Sequence, residues 1–136
     1  MEDRVEMIWN RWMPRENLKR KYYVDEICDD IERGLVIELS DEDREKIVLN
    51  WDGRVESYMC TEESSRSKLC YDNHDVMKWT FFEITGSEYV QWVCEQSLGI
   101  QQSDTLHHFC IVGINAVVDI IASYPPIILS ENDEIC

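Results

Sequence analysis

Residues 46–60 read KIVLNWDGRVESYMC, and the way this stretch pairs decides the fold that the sequence predicts. An Asp-Gly pair between two strand-like runs is a strong signal for a tight β-hairpin. The run after Asp52-Gly53 alternates between polar and less polar residues, as a strand with one buried face does. We therefore predict a strand over residues 46–51 that turns at Asp52-Gly53 and returns over residues 54–60.

The preceding stretch, residues 22–39, fits two different structures. Several of its apolar residues have the spacing of one helix face, and Gly34 would end such a helix. The aromatic and β-branched start of the stretch instead favours a strand. We predict the second structure, a hairpin with strands over residues 22–28 and 35–39.

The first 14 residues carry apolar side chains at helical spacing. Proline lacks an N–H donor and disrupts a helix, so Pro14 marks an end. We therefore predict an amphipathic N-terminal helix over residues 1–14. Its apolar face comprises Val5, Ile8, Trp9 and Trp12, and a basic cluster of Arg15, Lys19, Arg20 and Lys21 follows it.

The second half of the chain alternates between strand-like and helical segments. We predict a short helix from Thr61 to about residue 70, and a second helix that Ser87 caps and Gly99 ends. A terminal acidic tail, residues 131–136, is expected to be flexible. Strands are predicted over residues 79–84, 106–112 and 116–122, with a short helix capped by Asn115 as the alternative for the last segment.

These segments lack the regular β-α-β alternation of a parallel sheet. The predicted fold is therefore α+β in a single domain, residues 1–136: a mainly antiparallel sheet of hairpins, an N-terminal amphipathic helix and one or two packed helices. No apolar run reaches the length of a membrane span. The N-terminus lacks the features of a signal peptide, so we expect a cytoplasmic protein.

The composition is strongly acidic, with 13 basic and 28 acidic residues and a net charge of −15. Such a charge disfavours direct binding to nucleic-acid phosphates and favours a cationic partner. Residues 25–45 alone hold ten acidic and two basic residues. In the predicted hairpin, the acidic turns lie at opposite ends of one strand, about 17–20 Å apart. These turns contain Asp29, Asp30 and Glu32 at one end, and Asp41, Glu42 and Asp43 at the other.

Two of the five tryptophans are predicted to lie at the surface. Trp51 precedes the Asp-Gly turn, and Trp92 lies off the apolar stripe of its helix. Aromatic residues beside acidic loops form suitable hot spots for an Arg-rich partner. These two tryptophans and the six acidic turn residues form the predicted partner-binding set.

No pattern in the sequence identifies a catalytic site, and we predict no enzyme activity, no metal and no cofactor. The acidic run from Asp41 fails as a calcium loop because Lys46 stands where the loop needs glycine. His108 and Cys110 share one face of a predicted strand, but two ligands alone do not make a zinc site. Two alternatives stay open: a metal-dependent hydrolase that uses the clustered carboxylates, and an acidic phosphate mimic that displaces DNA from a DNA-binding protein.

Several stretches resemble a family of small, acidic, uncharacterised bacterial proteins. They are WTFFEI (79–84) followed by SEYVQW (87–92), residues 109–126, which end in DIIASYPP, and residues 22–39. This group is similar to immunity proteins of bacterial polymorphic toxin systems, which neutralise a toxin by binding it. The resemblance implies a non-enzymatic protein that occludes a basic toxin domain.

Overall fold

The computed structural model describes residues 6–72 and 74–130. The strands are β1 (Ile8–Arg11), β2 (Tyr23–Asp30), β3 (Gly34–Ser40), β4 (Lys46–Asn50), β5 (Ser57–Glu62), β6 (Phe81–Thr85), β7 (His107–Val112), β8 (Ala116–Ala122) and β9 (Ile127–Ser130). The α-helices are α1 (Ser67–Asp72) and α2 (Glu88–Gln96), and short 3-10 helices cover Glu63–Arg66, His74–Met77 and Ser103–Thr105. The strands form two antiparallel sheets, a five-stranded one in the order β1-β6-β7-β8-β5 and a four-stranded one in the order β2-β3-β4-β9.

The two sheets pack against each other around an apolar core. Leu35, Ile37 and Leu39 of β3 are buried, and Val36 and the other residues between them are partly exposed. This alternation is the period of two that a strand with one buried face requires. Phe109 of β7 belongs to the same core and reaches it from the five-stranded sheet.

The other face of the five-stranded sheet is covered by helical segments. Val90 and Val93 of α2 pack with Ile121 of β8, and Leu69 of α1 packs with Cys110 of β7. The chain therefore forms three layers, with the five-stranded sheet in the middle. No helix within the described ranges is both long and apolar enough to cross a membrane.

The predicted α+β fold with an N-terminal amphipathic helix is wrong. Residues 8–11 form β1, an edge strand that pairs antiparallel with β6. Trp9 packs with the apolar cluster on the helix-covered face of the sheet, whereas Trp12 packs with the core between the two sheets. One helix face would have placed both tryptophans on the same side, so the helical spacing was misleading.

The remaining predictions concern the two termini of the chain and the helix after Thr61. Residues 1–5, the start of the predicted N-terminal helix, lie outside the described residues, and so does the predicted flexible tail, residues 131–136. The predicted short helix after Thr61 begins later than expected, because β5 extends to Glu62 and a 3-10 turn comes before α1.

The predicted hairpin at Asp52-Gly53 is also wrong, because the chain passes there from one sheet to the other. Strand β4 pairs with β3 and β9, whereas β5 pairs with β8 in the five-stranded sheet. The Gly53 carbonyl accepts a hydrogen bond from the backbone N–H of Leu35 at 3.1 Å. A Cβ atom on Gly34 would lie 1.9 Å from the Gly53 oxygen, so this crossing needs glycine at residue 34.

Other predicted elements agree with the structure. The strands β2 and β3 form the predicted antiparallel hairpin, with a bulge between Val24 and Glu26. Ser87 caps α2 by accepting a hydrogen bond from the backbone N–H of Val90 at 3.0 Å. Residues 116–122 form strand β8 and not the alternative helix, because this segment lies between β7 and β5 and is buried on both faces.

Candidate functional site

The two acidic turns lie at opposite ends of β3. The seven residues of this strand separate the β2–β3 turn from the β3–β4 turn, which at about 3.3 Å per residue is a distance of roughly 20 Å. The six acidic residues therefore lie in two separate groups, as the hairpin predicts.

In the β2–β3 turn, Asp30 shapes the backbone and its neighbours face solvent. The Asp30 carboxylate accepts hydrogen bonds from the N–H groups of Glu32, at 2.8 Å, and Arg33, at 3.2 Å. These bonds lower the pKa of Asp30. Asp29 and Glu32 are exposed, and Ile31 between them is 78% exposed. The turn therefore has exposed carboxylates next to an exposed apolar side chain.

In the β3–β4 turn, Asp41 has a structural role. It is buried, and its carboxylate accepts hydrogen bonds from the N–H groups of Asp43, at 2.8 Å, and Glu45, at 3.0 Å. Asp41 is therefore not exposed, because its oxygen holds the turn together, and the predicted contact of Asp41 with a partner stays a prediction. Glu42 and Asp43 are exposed, as a surface role requires.

Basic residues surround this second turn. Lys19, Arg20, Lys21 and Lys78 line one groove together with the turn's acidic side chains, and Arg15 lines a neighbouring groove. Residues 15–21 and 41–46 together with Lys78 contain five acidic and seven basic residues. The chain's own cations therefore offset the negative charge at this end.

The other end of the two sheets is different. The backbone hydrogen bonds between Leu35 and the segment 51–53 bring the β4–β5 loop beside the β2–β3 turn. Tyr124 is exposed. It lies at the same end, because its hydroxyl would be 2.6 Å from a Cβ atom placed on Gly53. Residues 29–33 and 52–56 contain five acidic and two basic residues. We call this surface the acidic end and define it by Asp29, Asp30, Ile31, Glu32, Asp52 and Tyr124.

The two tryptophans in the predicted binding set have opposite environments. Trp51 is fully buried and packs against Phe109, with ring centroids 6.1 Å apart. Its predicted surface position is wrong because Trp51 directly follows β4 and packs into the core between the two sheets. Trp92 is 53% exposed on α2 and lies beside Tyr89.

A buried polar network, which the sequence analysis missed, connects α2 to the sheet. The Nε2 atom of His108 lies 2.7 Å from one carboxylate oxygen of Asp119, and its Nδ1 atom lies 2.7 Å from the hydroxyl of Ser87. The guanidinium of Arg66 donates to the other Asp119 oxygen at 2.7 Å. A carboxylate only accepts, so Nε2 carries a hydrogen, and Nδ1 shares the second hydrogen bond with the Ser87 hydroxyl. One feature of the sequence could have indicated this network: Asp119 is a single charged residue inside the apolar run VVDII.

The network also sets the ionisation of its members. Burial alone would raise the pKa of Asp119, but the hydrogen bonds from His108 and Arg66 outweigh it and hold this pKa below its usual range. Burial, followed by the nearby Asp119 charge, raises the pKa of the Cys110 thiol well above its usual value. The carboxylate therefore stays ionised and the thiol stays protonated near neutral pH.

Ser87, His108 and Asp119 are the residue types of a hydrolytic triad, but they are connected in a different way. In serine proteases the serine meets Nε2 and the aspartate meets Nδ1 of the histidine, which is the reverse of the arrangement here. The Ser87 oxygen also caps α2, and all three residues are buried. The network satisfies its own polar groups and fixes the start of α2 on the sheet.

The structure contains no arrangement that supports a metal centre within the ranges it describes. Among residues 6–72 and 74–130, no group of three or more His, Cys, Asp or Glu side chains is placed to hold an ion. His108 and Cys110 share a face, as predicted, but His108 is bound to Ser87 and Asp119.

The fold and its surfaces define an acidic, two-sheet antiparallel protein with a helical outer layer. The chain matches no protein-family model, no curated protein and no solved structure. The resemblance to immunity proteins therefore stays a prediction.

Proposed function

We propose that this chain is a non-enzymatic cytoplasmic protein that binds a basic protein and neutralises it, as an immunity protein does with a toxin domain. The supporting observation is the separation of charge between the two ends of the sheets. One acidic turn is surrounded by the chain's own lysines and arginines, whereas the acidic end has a clear excess of carboxylates.

The carboxylates of the acidic end are available to a partner. Within the described part of the chain, Asp29, Glu32 and Asp52 form no ion pair, whereas Glu38 does so with Lys46. Unpaired surface charges of one sign increase the rate at which an oppositely charged protein is captured. A basic protein would therefore approach this end first.

Apolar side chains at the same end supply the contact that charge alone does not. Ile31 and Tyr124 are exposed beside the carboxylates. Stable interfaces combine a desolvated apolar or aromatic centre with a polar rim. The acidic end contains both components, so it supports binding of a protein better than binding of a small ion.

The experiment compares two variants that remove the same number of charges at opposite ends. The chain and both variants are immobilised and used to capture proteins from a lysate of the native host, and each is co-expressed with the product of the neighbouring gene. The acidic-end triple is Asp29→Asn, Glu32→Gln and Asp52→Asn. The control triple is Glu42→Gln, Asp43→Asn and Glu45→Gln.

We expect the wild-type chain and the control triple to capture one basic protein and to protect the host from it. We expect the acidic-end triple to lose both capture and protection. Failure of the wild-type chain to retrieve a basic protein, together with no protection, contradicts the proposal. If duplex DNA displaces the captured protein from the chain, this result would instead support the phosphate-mimic hypothesis.

A further inference from the structure

The exposed side of α2 and the turn that ends it carry apolar side chains that the fold leaves uncovered. Trp92 on the helix is half exposed, and in the turn Leu98 is 93% and Ile100 is 83% exposed. Val90 and Val93 already supply the packing of α2 against the sheet. We call Trp92, Leu98 and Ile100 the α2 surface.

Besides its exposure, Leu98 has an unfavourable backbone conformation. Its backbone φ is 56°, in the left-handed region that favours glycine or asparagine. The end of the helix requires this conformation, because the N–H of Leu98 donates to the Glu95 carbonyl and that of Gly99 donates to the Cys94 carbonyl. A leucine here is strained and gains almost no packing within the chain. Strain at an exposed position is a reason to look for a contact outside the chain.

The charged residues of α2 and of the turns that follow it are all acidic. Glu88 and Glu95 lie on α2, and Asp104 follows in the next 3-10 turn. The sequence contains no lysine or arginine from residue 79 to residue 136. A partner that covers these apolar side chains would therefore also meet carboxylates with no neighbouring cation from this part of the chain.

We propose that the α2 surface is a docking site for a segment of a basic protein that presents apolar side chains flanked by arginine or lysine. The apolar side chains would cover Leu98 and Ile100, and an arginine would stack on Trp92, as guanidinium groups do on indole rings. This inference rests on the proposed function for the class of partner, but it uses a different surface from the acidic end.

The test uses a synthetic peptide of about 18 residues, long enough for an amphipathic helix that spans α2. The probe peptide contains leucine on one face and arginine on the other, and the matched peptide replaces arginine by glutamate. Binding to the isotope-labelled full chain is followed by NMR at the signal of the Trp92 indole N–H. This signal is assigned by its absence from the spectrum of a Trp92→Phe variant. The variants measured are Leu98→Asn and the double variant Glu88→Gln with Glu95→Gln.

We expect the arginine peptide to shift the Trp92 signal and the glutamate peptide to leave it unchanged. Leu98→Asn should weaken binding at least about tenfold, which equals about 1.4 kcal/mol, while the thermal midpoint does not fall. The double variant should weaken binding several-fold and reduce its dependence on salt. The acidic-end triple should bind the peptide as the wild-type chain does.

Three results would overturn the inference: no shift at Trp92 up to about 1 mM peptide, equal binding of the glutamate peptide, or an unchanged affinity of Leu98→Asn. The proposed function is judged separately by capture of the basic protein. If the acidic-end triple loses that capture while Leu98→Asn keeps it and also keeps its peptide affinity, the α2 inference fails and the proposed function stands.

Discussion

Replacing Asp119 by alanine should strongly destabilise the fold, because this carboxylate connects three elements. It lies on β8 and accepts hydrogen bonds from His108 on β7 and from Arg66, which precedes α1. The change leaves the Nε2 hydrogen of His108 buried with no acceptor. An unsatisfied buried donor costs about 1–3 kcal/mol, and breaking a buried ion pair costs about 3–5 kcal/mol.

The position of Arg66 decides where in this range the cost falls. Its side chain is 23% exposed, so the guanidinium can turn towards water when its carboxylate is removed. We therefore expect the free energy of unfolding to fall by about 3 kcal/mol. For a chain of this length, that change lowers the thermal midpoint by about 10 °C.

The variant Asp119→Asn separates the charge from the hydrogen bonds. Its amide can donate to His108 Nε2 and its carbonyl can accept from Arg66, so both partners keep a hydrogen bond to residue 119. We expect a smaller loss, about 1–2 kcal/mol. Asp104→Ala, at an exposed acidic residue, is the control and should change stability by less than about 0.5 kcal/mol.

Acid titration provides a second readout of the same network. The pKa of Asp119 is lower in the folded chain than its usual value of 3.8. Its contribution to stability is therefore fully present above about pH 4 and is lost as the pH falls through the lower folded-state pKa. Both variants should lack this acid-dependent loss. Urea unfolding at several pH values measures all of these effects, and an Asp119→Ala chain as stable as the wild type would refute the role of the network.

Three further changes have expected outcomes that urea unfolding checks. Gly34→Ala should cost at least about 3 kcal/mol, since a Cβ atom would meet the Gly53 carbonyl and the backbone φ is 90°; an equally stable variant would contradict the crossing geometry. Leu98→Asn should stabilise the chain by about 0.5–1 kcal/mol by relieving backbone strain, and destabilisation would show that Leu98 packs within the chain. Trp51→Ala should cost about 3–5 kcal/mol, whereas Trp92→Ala should cost less than about 0.5 kcal/mol; similar losses would contradict their different burial.

Local signals in the sequence were sufficient where the partner strand follows directly along the chain. The β2–β3 hairpin has its turn, its alternation and both its strands within residues 22–40. The same kind of signal failed at Asp52-Gly53, because β4 pairs instead with β9, which begins at Ile127. Pairing between strands so far apart depends on which sheet each strand joins, and a short stretch of sequence carries no information about it.

In the candidate site, too, local features were predictable and contacts between distant segments were not. The acidic turns and their separation followed from the hairpin, and the exposure of Trp92 followed from its place on the helix. The sequence could not show that Lys19 and its basic neighbours lie beside Asp41, because that contact depends on the path of the chain between β1 and β2. The network of Ser87, His108 and Asp119 likewise joins residues from α2, β7 and β8.

The most direct test of the account is the rate at which the captured basic protein associates with the two charge-matched triples at low and at high salt. Each triple removes three negative charges, so only the location of the charges differs. We predict that the acidic-end triple associates about tenfold more slowly than the wild-type chain at low salt, and that the control triple is unaffected. Equal rates for the two triples would contradict the claim that the partner docks at the acidic end.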